Sequence, residues 1–271
     1  MRITDWQTRK IIEKWYYALG FDKRYDEEFL KAQDTVYVDG GAIVEDYKTD
    51  DADGKKNFLY YLYFCEQMKR AYVEKGIPQD IFTDNVYDIV TWTDIWSNLK
   101  GELFLGEIEW LWHIFTLRII KVGRLQYFRR GAKEDAPSKN LKAGDPVLDV
   151  HIPARGPLHR DECVRSLELA REFFGKYYPE FDYKCFTCHS WLLDPTTDDI
   201  LGPDSNIRKF RELFDVVAKS PSRGIYSYVL RWKITDEEIP FAECKSSLAK
   251  RVKAAAQSGR QFYAGYGIID R

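Results

Sequence analysis

Residues 148–174 read LDVHIPARGPLHRDECVRSLELAREFF, and their reading decides the fold. A strand ends at Ile152 and Pro153, a short loop with Arg155, Gly156 and His159 follows, and an amphipathic helix starts near Asp161. A strand-loop-helix junction aims unpaired backbone N–H groups and the positive end of a helix dipole at one point, here with cationic side chains alongside. That point suits a pyrophosphate. The competing reading is a purely structural turn, because every such unit has the same geometry.

Downstream, KCFTCHSWLLDP (184–195) contains C-x-x-C-H, the spacing that attaches c-type haem and half of what a zinc site needs. Haem attachment requires an oxidising export route. Residues 1–20, MRITDWQTRKIIEKWYYALG, are charged throughout and lack the apolar run of a secretory leader. The only thioethers are Met1 and Met68. The aromatic, β-compatible run closed by Asp194-Pro195 reads as a buried strand through Leu193. Residues three apart on a strand face opposite ways, so Cys185 and Cys188 could not grip one ion. Zinc requires this segment to be a loop, with His159 and Cys163 completing the set. The cysteines are therefore read as small core hydrophobes, and no metal is expected. Five cysteines with no leader read as reduced thiols in the cytoplasm. No stretch approaches the roughly 18 apolar residues of a spanning helix, so no membrane is expected.

Upstream, the chain is mostly helical from Trp6 to about Arg118. TDWQTRKIIEKWYYALGF (4–21) opens with a Thr4-x-x-Gln7 capping box, places Ile12, Trp15, Tyr16 and Leu19 on one stripe and stops at Gly20. NFLYYLYFCEQMKRAYVEKG (57–76) repeats the grammar, with Asn57 as cap and Gly76 as stop. Further helices are expected over Asp84 to Leu99 and Gly106 to Leu117, and a loop over residues 36–57. Trp92, Trp96, Trp110 and Trp112 read as packing residues, some of which could line an acceptor pocket.

After Arg118 strands and helices alternate. IIKVGRLQYFRR (119–130) begins the strands, and GAKEDAPSKNLKAGD (131–145) is a polar connector. PVLDVHIP is a strand, DECVRSLELAREFFGKYY a helix, CFTCHSWLLD a strand and SNIRKFRELF a helix. FDVVAK and YSYVLRWKIT read as two more strands, followed by a basic helix from Lys245 to Gln257 and the glycine-rich tail SGRQFYAGYGIID.

With 271 residues, 45% hydrophobic and 15% aromatic, the chain can bury one large or two ordinary cores. Its first 118 residues hold 15 Lys and Arg against 22 Asp and Glu, leaving 26 against 21 for the rest. The second half is the better seat for an anionic ligand. No long basic run interleaved with aromatics marks a nucleic-acid track, so no nucleic acid is expected.

The order strand, PARGPLHR loop, helix, strand, Asn-containing helix, two strands resembles the acyl-CoA-binding core of GNAT-type N-acyltransferases, whose P-x-x-R-G-x-G loop cradles the coenzyme A pyrophosphate. VHIPARGPLH, CHSWLLDP, SNIRKF and SGRQFYAGYGI resemble the GNAT-like C-terminal domain of a bacterial acyltransferase-like family. WTDIWSNLKGELFLGEIEWLWHIFTLRIIKVGRLQYF resembles its helical N-terminal domain. The resemblance implies an α+β chain: a helical N-terminal domain over residues 1–118 and a GNAT-like mixed α/β domain over 119–271. Two departures stand out. The loop is one residue shorter, with Pro157 and His159 near positions where glycines let the backbone approach phosphate. Leu213 stands where many GNAT enzymes carry the tyrosine that protonates the leaving thiolate.

The implied function is acyl-CoA-dependent transfer of an acyl group to the amine of a small-molecule acceptor lying between the halves, with acetyl-CoA or another acyl-CoA as co-substrate. In the GNAT-like arrangement the strands ending at Ile152 and near Trp191 splay apart and hold the thioester. Ile152, Arg155, Gly156, His159 and Arg160 would bind the donor, and Asn206 would reach its pantetheine arm or cap its own helix. His151 and His189, on the two strands, would flank the thioester. By alternation Asp149 shares a face with His151, and Thr187 and Trp191 share one with His189. A histidine oriented by a carboxylate is a reasonable base for an ammonium acceptor; the competing reading of each is a hydrogen-bonded sheet residue. The alternative function is a non-catalytic acyl-CoA-binding or regulatory protein on the same fold.

Overall fold

Gly20, at φ 66°, ends the first helix in the left-handed region that a Cβ disfavours. The structure is a computed structural model describing residues 3–48, 51–154 and 156–271. It divides into two compact units, Met1–Lys121 and Val122–Arg271.

The first unit is helical. Helix α1 (Trp6–Leu19) buries Ile12, Trp15, Tyr16 and Leu19, as the periodicity requires. Its cap is Asp5, whose carboxylate accepts from the Gln7 and Thr8 amides at 2.9 and 3.0 Å. Thr4, the expected cap, instead accepts from the Val38 amide at 2.8 Å. Helix α2 (Asp26–Thr35) carries no apolar stripe or stop signal that marks it locally; its three first-turn acidic residues favour the dipole's positive end. Helix α3 (Gly54–Glu74) starts one turn before Asn57, because Asp53 caps it. Asn57 is buried and accepts from the Tyr47 hydroxyl at 2.9 Å. The single helix expected over Asp84 to Leu99 is two, α4 (Gln79–Val86) and α5 (Asp88–Lys100). Near the break, buried Asn85 accepts from the Lys121 amide and donates to its carbonyl. Helix α6 (Ile108–Phe115) completes the unit. Tyr16 stacks on Phe29 with ring centroids 3.8 Å apart.

The second unit carries the sheet. From the division onward the elements are β1 (Ile119–Val122, which spans the division at Lys121), β2 (Leu125–Gly131), β3 (Pro146–His151), α7 (Arg160–Tyr177), β4 (Cys185–Ser190), α8 (Asn206–Arg211), β5 (Asp215–Pro221), α9 (Gly224–Val229), α10 (Ser247–Gln257) and β6 (Tyr263–Asp270). The sheet order is β1-β2-β3-β4-β6-β5. Strands β3 and β4 are parallel, while the β2–β3, β4–β6 and β5–β6 pairs are antiparallel. A helical unit followed by a mixed sheet with helices gives the α+β class.

Three expectations for the sheet and the elements around it need correction. The strand through Trp191 and Leu193 stops at Ser190, where the Ser190 hydroxyl accepts from the Leu192 amide and starts a 3-10 turn, so Trp191 does not share a strand face with His189. YSYVLRWKIT is not a strand. Ile225, Tyr226 and Val229 recur at helical spacing and pack in a cluster with Ile234, Ile239 and Val252, which makes α9. The glycine-rich tail is the inner strand β6. A Cβ on Gly265 would lie 2.3 Å from the Leu193 carbonyl oxygen, and one on Gly267 would lie 2.8 Å from Phe214 Cβ, so glycine is the side chain this close packing admits. The connector 131–145 also does more than connect. Its Ala132, Ala136 and Leu141 cluster with Val147, Cys185, Tyr266 and Ile268 on one face of the sheet.

Candidate active site

Strands β3 and β4 pair through two registers only, Leu148 with Phe186 and Asp149 with Thr187. Beyond these, β3 stays paired to β2 as far as His151 opposite Gln126, and β4 stays paired to β6 as far as Ser190 opposite Gly265. Each tip is held on its outer side while the inner edges part. The result is a wedge between Val150 to Ile152 and Cys188 to Ser190, beyond the last residues that the two strands pair.

Asp149 sits at the vertex, 1% exposed, and its Oδ1 accepts from Thr187 Oγ1 at 3.1 Å. This bond puts Asp149, His151, Thr187 and His189 on one face of the sheet. His151 Nε2 is 3.4 Å from Asp149 Oδ2, and Arg130 and Lys133 each bring a cationic nitrogen within 3.7 Å of the same oxygen. Burial alone pushes the Asp149 carboxyl up; His151, Lys133 and Arg130 outweigh it and hold the group below the usual carboxylate range. Lys133 comes from the polar connector, and nothing local in the sequence marks it.

His189 Nε2 lies 3.4 Å from the Ser220 hydroxyl of β5. Burial, then the charge of Lys133, pushes this imidazole below its ordinary pKa, so it is neutral near pH 7. Opposite it in β6 is Tyr266, which no motif in the sequence marks. Its hydroxyl is buried and is pushed up to about 12 by burial and then Asp149. The cysteines flanking Phe186 and Thr187 face opposite sides of β4. Burial pushes the Cys185 thiol to about 11 and that of Cys188 well up, as it does Cys163, to about 11, in α7. Among the described residues no His, Cys, Asp and Glu group is arranged to hold a metal.

The bend after Ile152 is open. Ala154, Gly156, Pro157, His159 and Arg160 are exposed, and Ile152 is half-buried. Arg155 lies outside the described residues. Helix α7 begins at Arg160 with His159 in the cap position and no side chain capping it. Among the described residues, no amide from Gly156 to Glu162 donates to a protein acceptor; the first in the series is Cys163, to the His159 carbonyl. Asp161 and Glu162 occupy the first turn and add negative charge beside the helix start. Arg124, which no motif in the sequence marks, reaches the bend from the β1–β2 turn and donates to the carbonyls of Pro153, Gly156 and Pro157. Asn206 does not cap α8, because Ser205 Oγ accepts from the Ile207 amide; Asn206 is the first helical residue, half-buried. Leu213 follows the helix and offers no proton.

A family model described as the N-acyltransferase N-terminal domain matches residues 7–117, and one described as the GNAT-like C-terminal domain matches residues 119–269. The chain belongs to this GNAT-like family. Among solved structures, the GNAT-like chain is similar to an acyltransferase in complex with decanoyl-CoA, at 28% identity and a TM-score of 0.69 over 79% of this chain and 65% of that one. It is also similar to an acyltransferase in complex with decanoyl-CoA and teicoplanin, at 23% identity and a TM-score of 0.71 over 81% of this chain and 67% of that one. A third, an acyltransferase in complex with CoA and 10C-teicoplanin, gives 22% identity, a TM-score of 0.71 and the same coverage. The GNAT-like chain thus spans 65% of the length of the first of these relatives, and the likeness to the other two is one of fold. No curated protein matches it. Among the described residues, no helix is long and apolar enough to cross a membrane.

Proposed function

We propose that this chain is an acyl-CoA-dependent N-acyltransferase that passes an acyl group from coenzyme A to the amine of a small molecule. The observation that carries the reading is the wedge: pairing of β3 and β4 ends at Asp149 and Thr187, and a histidine stands on each parted tip beside an uncapped helix start. The acyl-CoA complexes of similar acyltransferases support the choice of donor.

In this reading Gly156, His159 and Arg160, with Arg155, receive the pyrophosphate at the positive end of α7, and Ile152 carries the backbone groups that face the thioester. Asn206 addresses the pantetheine arm. His151, held by Asp149, removes the proton from the acceptor ammonium as its nitrogen attacks the thioester carbonyl. The C–N bond forms, a tetrahedral oxyanion develops against the parted backbone, and the C–S bond then breaks to release the coenzyme A thiolate, which takes up the second proton that the nitrogen gives up on becoming an amide. His189, neutral near pH 7, flanks the same carbonyl.

A second reading, a non-catalytic acyl-CoA-binding protein, is favoured by Leu213 at the place of a proton donor and by Asp161 and Glu162 in the first turn of α7. A thermal-shift series with coenzyme A, acetyl-CoA and decanoyl-CoA, followed by turnover with a panel of amines, separates the two. Ligand at a hundredfold over its dissociation constant adds about 2.7 kcal/mol of apparent stability. A shift with turnover supports the transferase, a shift without turnover supports the binding protein, and no shift overturns both.

A further inference from the structure

Arg124 is fixed at one end by α7. It follows Gly123 (φ 68°) in the β1–β2 turn, where a Cβ on the glycine would sit 3.3 Å from Ser166 Cβ. The Leu125 amide donates to Ser166 Oγ at 3.0 Å, and the Ser166 hydroxyl also bonds the Val122 carbonyl and the Tyr127 hydroxyl. From this anchored turn the guanidinium reaches back to the loop that precedes the same helix. Nε donates to the Pro157 carbonyl at 2.8 Å, Nη2 to that of Gly156 at 3.1 Å and Nη1 to that of Pro153 at 3.3 Å.

A trans peptide is planar, with C=O and N–H pointing opposite ways. No described peptide bond is cis. Drawing the Pro153 and Pro157 carbonyls toward the guanidinium therefore turns the N–H groups of Ala154 and Leu158 away from it. Neither amide meets an acceptor among the described residues. Carbonyl oxygens repel a diphosphate and amides attract it. A planar group with several fixed donors can hold three carbonyls at once, which a lysine ammonium does less well.

We propose that Arg124 is a positioning residue for the donor: it gathers the loop's carbonyls on one side so that its free amides face the diphosphate of coenzyme A. The inference rests on the acyl-CoA reading above. Arg124 acts through the loop and does not touch the donor.

The test measures dissociation constants of wild type, Arg124→Lys and Arg124→Ala for decanoyl-CoA and for decanoyl-pantetheine, which lacks the diphosphate. Arg124→Ala should weaken decanoyl-CoA by about tenfold or more and leave decanoyl-pantetheine within about twofold, with Arg124→Lys between, its fold checked by a thermal melt. A merely structural role would weaken both donors alike; that result, or no change in either, overturns the latch. A wild type that binds decanoyl-pantetheine as tightly as decanoyl-CoA, or binds neither, overturns the acyl-CoA reading beneath it, and the variants are then not needed to decide.

Discussion

Asp149 and Thr187 are the last residues that β3 and β4 pair, and the Thr187 hydroxyl donates to the Asp149 carboxylate at 3.1 Å. A buried bond at the point of divergence fixes where the wedge begins. Thr187→Val leaves Asp149 Oδ1 short of a donor and should lower the unfolding free energy by about 1–2 kcal/mol, read by urea denaturation. Thr187→Ser should restore most of it; equal loss in both variants would mean that the methyl, not the hydroxyl, matters.

His151→Gln should lower kcat by about a hundredfold or more while leaving the decanoyl-CoA dissociation constant within about twofold, because a general base contributes to the transition state and not to donor binding. Asp149→Asn should lower kcat in the same direction through His151. Steady-state kinetics beside calorimetry reads both. A variant that loses donor affinity and keeps kcat would assign His151 to binding.

Two depressed pKa values give stability a defined pH dependence. The folded chain holds the Asp149 carboxyl below 3.8, so the unfolded chain takes its proton first as pH falls. That stabilisation is present above 3.8 and lost as pH drops through the folded value. His189 titrates below 6.5, and the unfolded chain again protonates first. The stability of wild type relative to His189→Gln should therefore be constant above about pH 7.5 and fall as pH drops below about 6.5. Denaturation midpoints across this range check the sign.

Glycines test the packing of the sheet's inner strand. Gly265→Ala places a Cβ 2.3 Å from the Leu193 carbonyl oxygen and should cost about 1–3 kcal/mol or more. Gly175→Ala, on an exposed position of α7 with nothing within 4 Å of its Cβ, should stabilise by about 0.5–1 kcal/mol. Thermal melts of both variants read the opposite signs.

Where local signals agreed, the sequence was legible. The stripe ending at Gly20, the strand that starts at Pro146 and the helix after the PARGPLHR loop stand where period and punctuation put them, the strand stopping at His151 and not at Ile152 and Pro153. Legibility failed where distant partners decide. Gly265 and Gly267 look like a flexible tail until the Leu193 and Phe214 that cover them are known. YSYV fits both periods, and only the cluster it joins selects the helix. The same holds for the site: His151 and His189 can be named from their strands, but Lys133 and Arg124 enter from other loops, across long separations that no local pattern reports.

The central claim, that coenzyme A lies in the wedge against the start of α7, is tested most directly by amide hydrogen exchange with and without decanoyl-CoA. Slower exchange concentrated in residues 150–162 and 188–190 is the predicted result. Protection confined to other parts of the chain at saturating ligand, with these two segments exchanging as before, would contradict it.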